Sequence, residues 1–340
     1  MLTPPGYAEL DPASVLAALD AVGLSGDGRL LQLNSYENRV FQVHLEDGDV
    51  IVAKFYRPGR WSDAQILEEH AFALELAADD VPVAAPRVLR ATDAAAATLH
   101  GKPPTLAHAG PFRVAVSNRH AGRAPELEDP EVLEWLGRFL GRLHAVGQRA
   151  PFVQRRRLGP EWVANARQRL VAGEHIPLAE QAPWCSRCDA ALRLIERAFA
   201  ALPSLRTLRL HGDFHPGNIM WRPDDGGGPH IVDLDDACTG PAVQDLWMLL
   251  SGDAASMRRQ LAHLLDGYRT FMPFDERELA LIEPLRTLRM ICHSAWIAER
   301  WSDPAFPIAF PWFGSAGYWS QQATQLGEQI EAMNEPPLLM

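Results

Sequence analysis

The ten residues Leu210-His211-Gly212-Asp213-Phe214-His215-Pro216-Gly217-Asn218-Ile219, followed by Ile231-Val232-Asp233-Leu234-Asp235, constrain this chain more than any other feature. An Asp that can accept a proton, an Asn five residues later and a second Asp on a following strand form a donor set suited to phosphoryl transfer. In that register Asp213 takes the proton of the attacking hydroxyl. Asn218 and Asp233 hold Mg2+, and Asp233 bridges the metal to the β- and γ-phosphates. The intervening Gly226-Gly227-Gly228 reads as a hairpin turn. Two such elements in the right order are more specific than either alone. The bland alternative is an ordinary loop with Asp233 at a strand end.

The flanking sequence predicts an α+β chain. Leu30–Leu33, Val40–His44 and Val50–Phe55 have the composition of strands, with Glu46-Asp47-Gly48-Asp49 as a turn between the last two. A helix is expected from Ser62 to Ala78, capped by Ser62 or Asp63, and ended by Pro82 and Pro86. Arg87–Leu89 and Phe112–Val116 read as two further strands around an Ala-rich excursion. From Pro130 the pattern is helical, interrupted by a strand pair around Leu208–Arg222 and Ile231–Leu234. Five strands with one helix inserted after the third is the small lobe of a protein-kinase-like fold. The expected organisation is therefore bilobal: residues 1–117 as a small antiparallel N-lobe that binds nucleotide, and 118–340 as a larger, mainly helical C-lobe. The hinge falls near Asn118 to Gly122.

Within this frame Lys54 lies at the end of the third strand, where a lysine contacts the α- and β-phosphates of ATP. The helix downstream carries Glu68 and Glu69, one of which can hold Lys54 by an ion pair; Glu69 fits the helix pattern better. The loop Asn34-Ser35-Tyr36-Glu37-Asn38-Arg39 has no glycine to lay backbone over phosphates, so the Ser35 hydroxyl is the candidate contact, against a plain β-turn. His211 reads as a brace of the catalytic loop, and His215 either faces substrate or packs. Asp245 is either a helix N-cap or a second brace. Clustered carboxylates at Asp233, Asp235 and Asp236 would repel one another without a cation.

Composition narrows the alternatives. With 47% hydrophobic and 22% charged residues, the 340-residue chain should fold throughout. A net charge of −11 argues against a nucleic-acid partner, and the basic run Arg155-Arg156-Arg157 reads as a solvated loop. No apolar run approaches the ~18 residues a membrane span needs, and the N-terminus has no leader pattern, so a cytoplasmic protein without a membrane partner is expected. Cys185-Ser186-Arg187-Cys188 lacks the further ligands of a zinc site and reads as two thiols on or before a helix. The aromatic residues between Trp296 and Trp319 read as core.

The His-Gly-Asp loop, with Leu33–Val40, Lys54-Phe55-Tyr56-Arg57-Pro58, Ile66–His70, Val232–Ala237, Gly240–Leu250 and Trp301–Pro307, resembles the bacterial stress response kinase A family. That family lies within the aminoglycoside phosphotransferase and choline kinase superfamily. The resemblance implies a monomeric cytoplasmic Ser/Thr protein kinase that uses Mg-ATP, with Asp213 as proton acceptor, Asn218 and Asp233 as magnesium ligands and Ser35 as an ATP contact. Two departures from protein kinases bear on the acceptor. Asp-Leu-Asp stands where those enzymes have Asp-Phe-Gly, and only eleven residues separate Asp233 from Asp245, too few for an activation segment. Three functions follow in order: a kinase of protein hydroxyls in stress response, a kinase of a small hydroxylated metabolite of the aminoglycoside, choline or homoserine type, and a non-enzymatic nucleotide-binding scaffold.

Overall fold

The computed structural model describes residue 7 and residues 10–90, 104–222 and 228–338. Packing divides the chain into two compact units. One comprises 1–126, 145–155 and 215–237; the other comprises 127–144, 156–214 and 238–340.

The first unit opens with α1 (Pro12–Asp20), capped by Asp11, which accepts the Ser14 N–H. Its sheet has five antiparallel strands in the order β1-β2-β3-β5-β4: β1 (Gly26–Leu33), β2 (Arg39–Leu45), β3 (Val50–Tyr56), β4 (Ala107–Ala109) and β5 (Phe112–Asn118). Period-two alternation sends Phe41, Val43 and Leu45 of β2 and Ile51, Ala53 and Phe55 of β3 into one core, which α1 closes with Val15 and Leu19. Lys54 therefore lies on the opposite face, paired in register with Val40 and Ala115. On that face Tyr56, Trp61 and Ala115 pack with Ile66 and Leu67 of α2 (Asp63–Ala78). Ser62 caps α2 in a reciprocal capping box with Gln65.

Arg87–Leu89 is not a strand. The outer strand beside β5 is Ala107–Ala109, within the stretch expected to be an excursion, and Pro86 makes only an isolated bridge to Ser117. The missing N–H of Pro86 removes a ladder donor at the start of the expected strand. The hairpin β7 (Ile219–Arg222) and β8 (Gly228–Ile231) belongs to the same unit; most of its expected glycine turn falls outside the described residues. Gly122 lets the chain pass this hairpin, because a Cβ there would lie 2.5 Å from the Met220 backbone.

The second unit is helical: α3 (Pro130–Gly147, its last three residues in the first unit), α4 (Glu161–Ala172), α5 (Leu178–Ala200), α6 (Gln244–Trp247), α7 (Ala254–Tyr268), α8 (Ile282–Glu299), α9 (Ala305–Ala309) and α10 (Ala316–Ala332). Its two short strands, β6 (Leu208–Leu210) and β9 (Cys238–Gly240), pair with each other. The single strand pair expected from sequence is thus two separate pairs. α5 begins ten residues earlier than Cys188 and contains Pro183. Cys185 and Cys188 both lie on it as free thiols, and burial pushes Cys188 up to about 12. Phe306, Phe313 and Trp319 are fully buried, with Trp319 edge-on to Trp184 at 5.5 Å, so these rings are core, whereas Trp312 is exposed and Trp296, Trp301, Phe310 and Tyr318 are half-buried. No helix among the described residues is long and apolar enough to cross a membrane.

Candidate active site

In the first unit the strand lysine meets the carboxylates of the Asp-Leu-Asp segment. Lys54 Nζ lies 3.0 Å from Asp233 Oδ1 and 3.2 Å from Asp235 Oδ1. Asp233 takes a left-handed backbone conformation (φ +62°) that turns the chain sharply from the hairpin into a 3-10 turn over 234–236. Its carboxylate stays 48% exposed. Asp235, by contrast, is buried and also accepts from Arg60 and from Asn38 Nδ2 at 3.1 Å. Burial would raise the Asp235 pKa, but the Lys54, Arg60 and Arg155 cations and the Asn38 amide reverse this and hold it well below the usual carboxylate range. Burial would likewise lower Lys54, and Asp233 and Asp235 hold its pKa well above the usual lysine value.

The two expected metal ligands are neighbours. Val232 N–H donates to the Asn218 carbonyl at 3.0 Å, so the backbone that ends in Asp233 is tied directly to Asn218. Asn218 ends a 3-10 turn over Pro216–Asn218, where His215 Nδ1 accepts the Gly217 N–H at 3.0 Å. That bond gives His215 a local capping role. The fit to a divalent cation follows from donor chemistry: an amide oxygen and a half-exposed carboxylate are hard donors, and magnesium takes one or two carboxylates while phosphate and water fill its remaining positions.

Glu68 and Glu69 have separated roles. Glu68 accepts the backbone N–H groups of Val153, Gln154 and Arg155 at 2.6, 2.8 and 2.8 Å. Glu69 is buried, its Oε2 has no hydrogen-bond partner, and no ion pair joins it to Lys54 among the described residues. Burial raises its pKa to about 7 against the pull of Lys54 and Arg155. Because the folded pKa exceeds the unfolded one, stability from this group is full below about 4.5 and is lost as pH rises to about 7. Glu69→Gln should therefore gain stability over the wild type as pH rises through that window, by up to about 3 kcal/mol. Parallel chemical denaturation of both proteins from pH 4 to 8 measures it; parallel curves would contradict the assignment.

Ser35 lies in the glycine-free loop, and its Oγ accepts the Asn38 N–H at 3.3 Å, which makes it part of a local turn while its own O–H remains a donor. The same turn delivers Asn38 to Asp235. Asn38, Arg60 and Arg155 were not legible as site residues. Arg155 is a correction: expected in solvent, it is buried, donates to the carbonyls of Ala237 at 2.9 Å and Asp235, and covers Trp61 at 4.1 Å.

The second unit holds Asp213. Asp245 is fully buried and accepts the backbone N–H groups of His211 and Gly212, both at 2.8 Å. Its third partner is His144 Nε2 at 3.1 Å, whose Nδ1 is 3.0 Å from Tyr268 Oη. Gln244 Nε2 closes the bracket on the Gly212 carbonyl at 2.9 Å, and Gly212 adopts φ +84°, which glycine tolerates. Asp245 is thus a loop brace rather than an N-cap; α6 is preceded by Val243. Beyond the brace, Asp213 forms an ion pair with Arg289 of α8.

A fold of this kind, with a strand lysine beside an Asp-Leu-Asp segment and a braced His-Gly-Asp loop, defines an aminoglycoside-phosphotransferase-like kinase. The model of the phosphotransferase enzyme family matches residues 29–282. The chain belongs to that family, and within it to the stress response kinase A group. Stress response kinase A of Salmonella choleraesuis (strain SC-B67) is 44% identical over 98% of this chain and 96% of its own length. The serine/threonine protein kinase RdoA of Salmonella typhimurium (strain LT2) is also 44% identical, over the same shares. Among solved structures, an amicoumacin kinase in complex with AMP-PNP, Ca2+ and Ami aligns with a TM-score of 0.69 at 20% identity, covering 96% of this chain and 95% of that one. The chain is accordingly a kinase, an ATP-dependent phosphotransferase.

Proposed function

We propose that this protein transfers the γ-phosphoryl group of Mg-ATP to a serine or threonine hydroxyl of a protein, in the cytoplasm and as a monomer. The observation that carries the reading is the contact set in the first unit: Lys54 on Asp233 at 3.0 Å, with Asp233 tied through Val232 to Asn218. In this reading residues 1–117 form the nucleotide lobe and 118–340 the catalytic lobe. Asn218 and Asp233 hold the metal, which when bound neutralises charge on the transferring phosphoryl group. Lys54 contacts the α- and β-phosphates, exchanging part of its pairing with Asp233 for phosphate while Asp235 keeps it in place. Ser35 offers its O–H to the nucleotide. Asp213 accepts the acceptor proton, and Asp245 fixes the loop that presents it. Glu69 supports Lys54 electrostatically.

The protein acceptor is supported by the relative named a serine/threonine protein kinase. A small hydroxylated acceptor is the second reading, favoured by the eleven residues between Asp233 and Asp245, which are spent on a 3-10 turn, β9 and the approach to α6. Labelled ATP offered to a lysate protein fraction and to a metabolite panel separates the two. Label on protein hydroxyls supports the first; label only on a small alcohol or aminoglycoside removes it. Lys54→Met should raise the ATP concentration needed for half-maximal rate by about tenfold or more, since a phosphate-binding charge is lost. An unchanged ATP requirement would take Lys54 out of the nucleotide site.

A further inference from the structure

Arg289 donates from its guanidinium to the Asp213 carboxylate across 76 residues of sequence. The pair is open to solvent, with Arg289 42% and Asp213 21% exposed, whereas the brace pair His144 and Asp245 is fully buried. A purely structural tie has no need to stand where an incoming hydroxyl must reach Asp213. One turn along α8, His293 stacks on Trp296 at 5.6 Å and meets the edge of Phe310 at 6.4 Å. Burial, and then the Arg289 charge, lower the His293 pKa against the pull of Asp213. Asp213 is thus flanked along α8 by a fixed positive charge followed by aromatic surface.

We propose that Arg289 selects the acceptor: it orients Asp213 and favours hydroxyl compounds that carry a carboxylate or other anionic group beside the hydroxyl. The inference rests on Asp213 as the proton acceptor. A guanidinium presents five N–H donors in a planar fork, so one edge can hold Asp213 while another receives an anion. It cannot be deprotonated, and a cationic acceptor would meet a like charge beside the base. Polyamine acceptors are on this account the poorest fit, and an acidic-flanked serine or a small hydroxy acid the best.

The test compares wild type, Arg289→Lys, Arg289→Ala and Arg289→Glu on serine peptides that differ only in flanking Asp, Ala or Lys, and on lactate against ethanolamine. Wild type should prefer the anionic member of whichever series it turns over by about tenfold or more in kcat/KM, mostly through KM. Arg289→Lys should keep the direction of preference, Arg289→Ala should flatten it, and Arg289→Glu should invert it. An unchanged ratio in Arg289→Glu, or a wild-type preference for the cationic member, overturns the proposal. Should Arg289→Ala and Arg289→Glu fail to fold, loss of preference in a folded Arg289→Lys protein would overturn it equally. Asp213→Asn separates the two levels: full activity there removes Asp213 as the base, whereas an inactive Asp213→Asn with an unchanged Arg289→Glu ratio removes the Arg289 assignment alone. A wild-type protein inactive on both series removes the Arg289 assignment, and Asp213→Asn then tests the base on whichever acceptor takes label from ATP.

Discussion

Asp213→Asn should lower phosphoryl transfer by roughly 10²-fold or more while nucleotide binding persists. The amide keeps the size and much of the polarity of the carboxylate but cannot take the acceptor proton. Asp213 belongs to a loop whose preceding residues are fixed by Asp245, so the substitution should leave the loop in place. Steady-state rates together with nucleotide titration separate the two effects. A variant with wild-type turnover would show that another group accepts the proton.

Asp245→Ala should be among the most destabilising single changes in the chain. It strips the acceptor from two backbone N–H groups and from His144; Asp245, His144 and His211 are fully buried and Gly212 is half-buried. Leaving buried donors unmet after removing a buried charge costs about 3 kcal/mol or more. Activity should fall with it, because Asp245 holds the N–H of Gly212 at φ +84°. Asp245→Asn keeps one acceptor oxygen and should lose less. Denaturant midpoints for the three proteins measure the order, and an Asp245→Ala midpoint equal to wild type would refute the brace.

What the sequence made legible was local. The strand-forming composition of Val40–His44 and Val50–Phe55, with the turn between them, gave β2 and β3. The start of α2 was readable to within one residue, with Ser62 or Asp63 as its cap, and Ser62 is the residue that caps it. The Asp213, Asn218 and Asp233 pattern stands out in the sequence because its spacing suits phosphoryl transfer. What stayed hidden was short or distant. β4 is three residues of mostly small side chains, and nothing in Ala107-His108-Ala109 distinguishes it from loop. Asn38 and Arg60 reach Asp235 across 197 and 175 residues, and Arg289 reaches Asp213 across 76, so no periodicity marks them. The burial of Arg155 is hidden because a run of three arginines has the composition of a solvated loop, whereas its burial depends on Trp61 and two distant carbonyls. Glu68 and Glu69, adjacent in sequence, are told apart only by the backbone of residues 153–155 that claims the first.

The central claim is that Asn218 and Asp233 hold the metal of Mg-ATP from which phosphate leaves. Transfer of label from γ-labelled ATP to acceptor, titrated with magnesium in wild type and Asp233→Asn, tests it most directly. The expected result is saturable magnesium dependence in the wild type, abolition by a chelator, and a magnesium requirement raised by about tenfold or more in Asp233→Asn, since a carboxylate ligand has been replaced by a neutral one. Transfer that persists with chelator present, or an identical magnesium requirement in the two proteins, would contradict it.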